Sequence, residues 1–154
     1  APMSVKMYDS RVNGLNHLKK MMSRIATPGG TPEGLCHETI FEYHGKESKD
    51  KDAYFINISD GAPGTYIITN NGHNLYYGDK EANEQTKAVM DKFRKNGWNV
   101  ISYMVGKTRE SQSGRNFIEC YGKDSQFIEN PDNMMEIAKS LNKKLTNPAS
   151  ANKR

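Results

Sequence analysis

Hydrophobic and polar positions along this chain repeat with two periods, and the switches between them mark out its elements. Val5 and Met7 alternate with polar Ser4 and Lys6, the two-residue period of a short strand. Leu15, Leu18, Met22 and Ile25 recur at steps of three and four, which predicts an amphipathic helix opened by Asp9 or Ser10 and ended by Thr27-Pro28-Gly29-Gly30. Thr31-Pro32 predicts a second helix start, a hydroxyl cap followed by proline, with Cys36, Ile40 and Tyr43 as its buried stripe and Gly45 as its stop. Residues 53–58 form the strongest strand signal, a nearly unbroken apolar run of the kind covered on both faces.

The second half continues the alternation. Residues 65–69 and 75–77 flank Asn71-Gly72 and predict a β-hairpin. Asp79 opens a helix to Asn96, with Ala82, Val89 or Met90, and Phe93 inward and Gly97 as its stop. Residues 100–105 predict a buried strand and 126–128 a short one, while 117–121 fits either a helix or a strand. Asn130-Pro131 opens a last helix carrying Met134, Ile137 or Ala138, Leu141 and Leu145. Strands alternating with helices predict an α/β fold: a mostly parallel, Rossmann-like sheet with helices on both faces and an inserted β-hairpin. Ligands of such sheets bind beyond the carboxyl ends of the strands.

Composition narrows this only slightly. A chain of 154 residues is expected to hold one domain, over 1–145, followed by a polar tail at 146–154. Lys and Arg number 22 against 18 Asp and Glu, a net charge of +4 with the signs interspersed, which admits a nucleic-acid partner without requiring one. The two cysteines, Cys36 and Cys120, are far apart and give no disulfide framework. No apolar run approaches the roughly 18 residues that cross a bilayer, and residues 1–25 contain no apolar signal core, so the expected address is the cytoplasm. Phosphate-loop and nucleophile–base signatures are missing, which argues against an enzyme. The spacing of Cys36, His37 and His44 matches no zinc pattern.

Three features could carry chemistry. Asp60 leaves the apolar run 53–58 on a Gly-Ala-Pro-Gly turn, which sets a carboxylate at the carboxyl edge of the sheet, where a cation would sit; a turn-capping aspartate has the same look. Thr31 places a hydroxyl at a helix start, and helix capping would use the same oxygen as metal ligation. The hairpin follows Asp60 directly, and its Tyr66, His73, Tyr76 and Tyr77 form a polar-aromatic surface of a type enriched at protein interfaces.

Taken together, Gly29-Gly30-Thr31-Pro32, a helix, and an apolar strand ending Ile58-Ser59-Asp60-Gly61-Ala62-Pro63 resemble the von Willebrand factor A domain. Within that family the Ile-Ser-Asp-Gly-Ala-Pro run and Thr31-Pro32-Glu33-Gly34 are similar to the A domain of the CobT-type cobaltochelatase subunit. The resemblance covers the chain after Met3 in element order. It implies a non-enzymatic protein-binding module that works beside an AAA+ ATPase in a chelatase-type complex. It also implies a metal-ion-dependent adhesion site for Mg²⁺ or another divalent cation, with Thr31 and Asp60 as ligands completed by a partner's acidic side chain.

One departure is plain. The family's first ligand loop is Asp-x-Ser-x-Ser, and none of the aspartates at 9, 50, 52, 60, 79, 91, 124 and 132 has Ser or Thr two residues on. The chain therefore reads either as a domain of this type that has lost the site or as its C-terminal two-thirds, with the upstream part absent or supplied by another polypeptide. A replacement for the missing strand beside 53–58, whose edge would otherwise present unpaired backbone groups, is expected from rearrangement, dimerisation or a partner strand. A basic nucleic-acid-associated domain is the alternative, resting on the net charge and the tyrosines.

Overall fold

The computed structural model describes residues 8–23, 30–45, 52–61 and 63–146. The strand expected at Val5–Met7, residues 46–51 and the tail beyond 146 lie outside these residues. The chain folds as an α/β protein whose elements run α1 (Leu15–Met22), α2 (Glu33–His44), β1 (Tyr54–Ser59), β2 (Thr65–Ile68), β3 (Asn74–Tyr77), α3 (Asp79–Lys95), β4 (Asn99–Val105), α4 (Gln112–Tyr121), β5 (Gln126–Ile128) and α5 (Met134–Thr146).

The three strands β1, β4 and β5 form one parallel sheet in the order β1-β4-β5, with Asn57 beside Ser102 and Tyr103 beside Gln126. The period of two then sorts their side chains onto two faces. Phe55, Met104 and Phe127 point toward α2, α3 and α4, where they meet Val89, Met90, Phe93, Phe117, Cys120 and Tyr121. On the other face Ile101, Tyr103 and Ile128 pack against Ile137 and Leu141 of α5. Helices thus flank both sides of the sheet, but α5 leaves β1 partly bare: Ile56 is 41% exposed and Ile58 48%. This corrects the reading of 53–58 as a strand covered on both faces. Among the described residues, no strand pairs with β1 on the side away from β4, and the expected replacement strand is not found there.

The ambiguous segment 117–121 is helical. Ser111 caps α4 by accepting a hydrogen bond from the Gly114 amide at 3.0 Å. Other local expectations shift. Helix α1 starts after Gly14 and buries none of its residues, so the stripe of Leu15, Leu18 and Met22 is not a core face. Asp9 instead accepts from the Arg11 amide and guanidinium in the preceding turn. Helix α3 begins at Asp79 itself, with Gly78 at the capping position.

Helix α2 carries the most useful correction. Its inward stripe is Glu33, His37, Ile40 and Phe41, one residue out of step with the expected Cys36, Ile40 and Tyr43. Phe41 lies 5.1 Å from Phe93, ring to ring, while Tyr43 is exposed. The apolar pattern misleads here because two core positions of this helix are occupied by ionisable side chains.

Candidate functional site: the rim at the end of β1

Parallel strands bring their carboxyl ends to one rim, and the turn after β1 is built there from close backbone contacts. Gly61 has φ +75°, and a Cβ on it would come within 2.5 Å of the Met104 Cε. Gly30 has no room for a side chain either, since a Cβ would meet the Gly64 carbonyl oxygen at 2.0 Å. That close approach lets the segment before α2 run against the turn. Thr31 bridges to Pro63 and Gly64, and the Gly64 amide donates to the Thr31 carbonyl at 2.9 Å. The loops carrying Thr31 and Asp60 therefore meet on the same rim.

Thr31 does not cap α2. The capping position falls on Pro32, and only the Thr31 carbonyl is used, accepting from the Glu33 amide at 2.9 Å. The Thr31 hydroxyl is exposed and has no hydrogen-bond partner among the described residues. Asp60 is exposed on the same side.

Behind them lies a buried polar knot. The Ser59 hydroxyl donates to Glu33 Oε1 and accepts from the Gly61 amide at 3.0 Å, which fixes the turn. The Tyr121 hydroxyl donates to Glu33 Oε2 at 2.8 Å. Burial pushes the Glu33 carboxyl above its ordinary range and the Asp60 charge adds to this, while the Ser59 and Tyr121 hydrogen bonds pull the other way. Burial also drives the Tyr121 hydroxyl far up, reinforced by Glu33. His37 sits 4.9 Å from the Phe55 ring, edge-on, and burial lowers its pKa to about 4. Its Nδ1 and the Tyr77 hydroxyl have no hydrogen-bond partner among the described residues.

The hairpin β2–β3 closes the outer side. Thr65 pairs with Tyr77 and Tyr66 with Tyr76, so the two pairs face opposite ways. Tyr66 is 72% exposed and Tyr76 49%, their rings 5.3 Å apart. Tyr77 is only 4% exposed, its hydroxyl against Gly34 and its pKa pushed up to about 12 by burial. The expected surface role for Tyr77 is therefore corrected: alternation along β3 turns it into the core. His73 lies at the hairpin turn, where its carbonyl accepts from the Thr69 amide at 2.9 Å. Four strand residues at about 3.3 Å each separate it from the base of the hairpin, which removes it from Asp60's neighbourhood.

Between these parts lies a cavity of about 590 Å³ bounded by the turns at Gly30 and Gly61–Gly64, the Tyr66 and Tyr76 rings, Asn83 of α3, and Ser113 and Asn116 of α4. Sequence reasoning missed Glu33, Ser59 and Tyr121, and it missed the two helices that complete the wall. The signal for Glu33 was the spacing Glu33, His37, Ile40, which matches a helix face as well as the apolar set does.

Of the two expected cation ligands, the described residues place the Thr31 hydroxyl and the Asp60 carboxylate on this rim. Both Glu33 oxygens and the Ser59 hydroxyl are committed to one another and to Tyr121. Mg²⁺ wants six oxygens in a near-octahedral shell. Among the described residues, no three His, Cys, Asp or Glu side chains are grouped so as to hold a metal ion. No helix among them is long and apolar enough to cross a membrane. Comparison of the chain with protein-family models, with curated proteins and with solved structures finds no match.

Proposed function

We propose that this chain is a non-catalytic protein-binding domain of von Willebrand A type, akin to the CobT-type chelatase subunit, and that it docks a partner of the AAA+ ATPase class on the rim at the end of β1. The observation that carries this reading is the meeting of three separate stretches around one cavity: the Thr31 segment, the Asp60 turn and the tyrosine-bearing hairpin. A cavity of this size with convergent polar groups has the character of a binding site, and exposed tyrosines have the character of interface anchors. The cation expected at Thr31 and Asp60 would need further oxygens from a partner to fill its shell. A nucleic-acid partner is less well matched here, since no Lys or Arg among the described residues lines the cavity to meet a phosphate.

A photocrosslinking residue placed at Tyr66 or Tyr76 of the full chain tests this, with Tyr43 on α2 as the control. The reading expects adducts to an AAA+ ATPase, identified by mass spectrometry, from positions 66 and 76 and none from 43. Equal adducts at all three positions, or none at 66 and 76, overturns it. Repeating the experiment in MgCl2 and in EDTA shows whether a partner brings enough oxygens to recruit a cation.

A further inference from the structure

We propose that the cavity at the end of β1 receives a proline-rich stretch of the docking partner, held in the extended polyproline II conformation. This deepens the docking reading above and rests on it.

The first argument is the chemistry of the lining. Among the described residues that bound the cavity none is charged. An acidic or basic side chain entering it would give up water without gaining a counter-charge there. The lining offers hydrogen-bond donors and ring faces instead. The Asn83 carboxamide and the Ser113, Tyr66 and Tyr76 hydroxyls have no hydrogen-bond partner among the described residues. Asn116 accepts at Oδ1 from Gln112 Nε2 at 2.8 Å, so its own amide N–H groups are what it has left to offer. A proline-rich backbone is the complement of such a wall. Proline has no N–H to satisfy. The polyproline II helix makes no internal hydrogen bonds, so its carbonyls take their donors from outside.

The second argument is the geometry of the rings, which separates this occupant from a flat one. Tyr66 and Tyr76 stand 5.3 Å apart, centroid to centroid, and are inclined at 55°. A nucleobase or other planar group sandwiched between them would need roughly 7 Å, two contacts of about 3.5 Å each. The two rings lean on each other and present one angled ridge, with Tyr66 72% exposed. Proline rings pack on aromatic side chains of this kind in grooves that recognise polyproline II segments. Such a segment has its conformation set before it binds, so little further ordering is lost on docking at an exposed rim.

The test is a ¹⁵N-edited NMR titration of the full chain with a decaproline peptide. A Gly-Ser peptide of equal length and the disaccharide maltose serve as comparison probes. The proposal expects decaproline to move the amides of Gly64, Tyr66, Ser113 and Asn116, with shifts that do not shrink as NaCl rises, because no ion pair is made. Tyr66→Leu and Asn116→Ala should each weaken that binding by about fivefold or more while leaving the rest of the spectrum in place. Tyr43→Leu, on the outside of α2, should not. If no decaproline shifts appear at the rim, if the Gly-Ser peptide produces the same shifts, or if both rim variants bind decaproline unchanged, the proposal is overturned. Maltose shifts without decaproline shifts overturn it while leaving the cavity as a ligand site. The crosslinking at positions 66 and 76 judges docking independently. Adducts there without decaproline binding keep the docking face and remove the proline-rich segment; decaproline binding without ATPase adducts does the reverse.

Discussion

Tyr76 and Tyr77 are neighbours in the chain and belong to opposite sides of one rim. On the inner side, Tyr77, Glu33, His37 and Tyr121 are buried, and the hydrogen bonds of Glu33 with Ser59 and Tyr121 and of Ser59 with the Gly61 amide fix the turn after β1. On the outer side, Thr31, Asp60, Tyr66 and Tyr76 are exposed around the cavity. The difference shows how such a site divides its work. The inner groups set the position of the backbone, and the outer groups lie around the cavity, so changes on the two sides should be read by different experiments.

The largest inner effect concerns His37. Its folded pKa is about 4 against an ordinary value of 6.5. Between those values the unfolded chain binds the extra proton and the folded chain does not, so stability is complete above pH 6.5 and falls as pH drops toward 4. The displacement corresponds to about 3 kcal/mol. Glu33 has the opposite sign. Its raised pKa contributes stability below 4.5 that is lost as pH climbs through the folded value. Urea unfolding at pH 7, 5.5 and 4.5 should therefore show a loss in mild acid that His37→Phe largely removes. An unchanged slope in that variant would place the acid sensitivity elsewhere.

Glu33→Ala comes next, at about 2–3 kcal/mol, because it leaves the half-buried Ser59 and buried Tyr121 hydroxyls without their acceptor. Glu33→Gln keeps one acceptor oxygen, removes the desolvated charge, and should cost about 1 kcal/mol or less. Gly61→Ala should cost about 1–2 kcal/mol by forcing a side chain into left-handed backbone against Met104. Equal losses for the two Glu33 variants, read by thermal or urea unfolding, would remove the hydrogen-bonded knot from the account.

The outer side should barely register on the same scale. Thr31→Ala is expected to change stability by no more than about 0.5 kcal/mol, as exposed substitutions do. Tyr66→Ala also gives up its ring contact with Tyr76 and should cost about 1 kcal/mol. A loss of several kcal/mol from any of these would mean that the outer residues hold the turn themselves.

Much of the fold can be read from hydrophobic periodicity. The inward positions of α3 at Ala82 and Phe93 are buried as their spacing predicts, and so are both Val89 and Met90; the one polar residue buried on that face, Thr86, satisfies its hydroxyl on the Ala82 carbonyl. The hairpin was legible from Asn71-Gly72. Helix α2 was legible only in its extent. Glu33 and His37 take core positions, and a pattern that treats polar residues as exposed turns the helix by one residue. The meeting of Thr31 with Gly64 depends on contacts between distant loops, which no local period reports. The same holds for Tyr121, whose bond to Glu33 joins helices far apart in sequence. For β1, an apolar run signals a strand but does not say how many helices cover it.

The division between the two sides is tested most directly by measuring the doubly substituted Tyr66→Ala, Tyr76→Ala chain twice, once for its urea unfolding free energy and once for adduct formation from a photocrosslinking residue at Thr65. The account predicts stability within about 2 kcal/mol of the unsubstituted chain and loss of the partner adduct. A stable variant that still forms the adduct in full would contradict it.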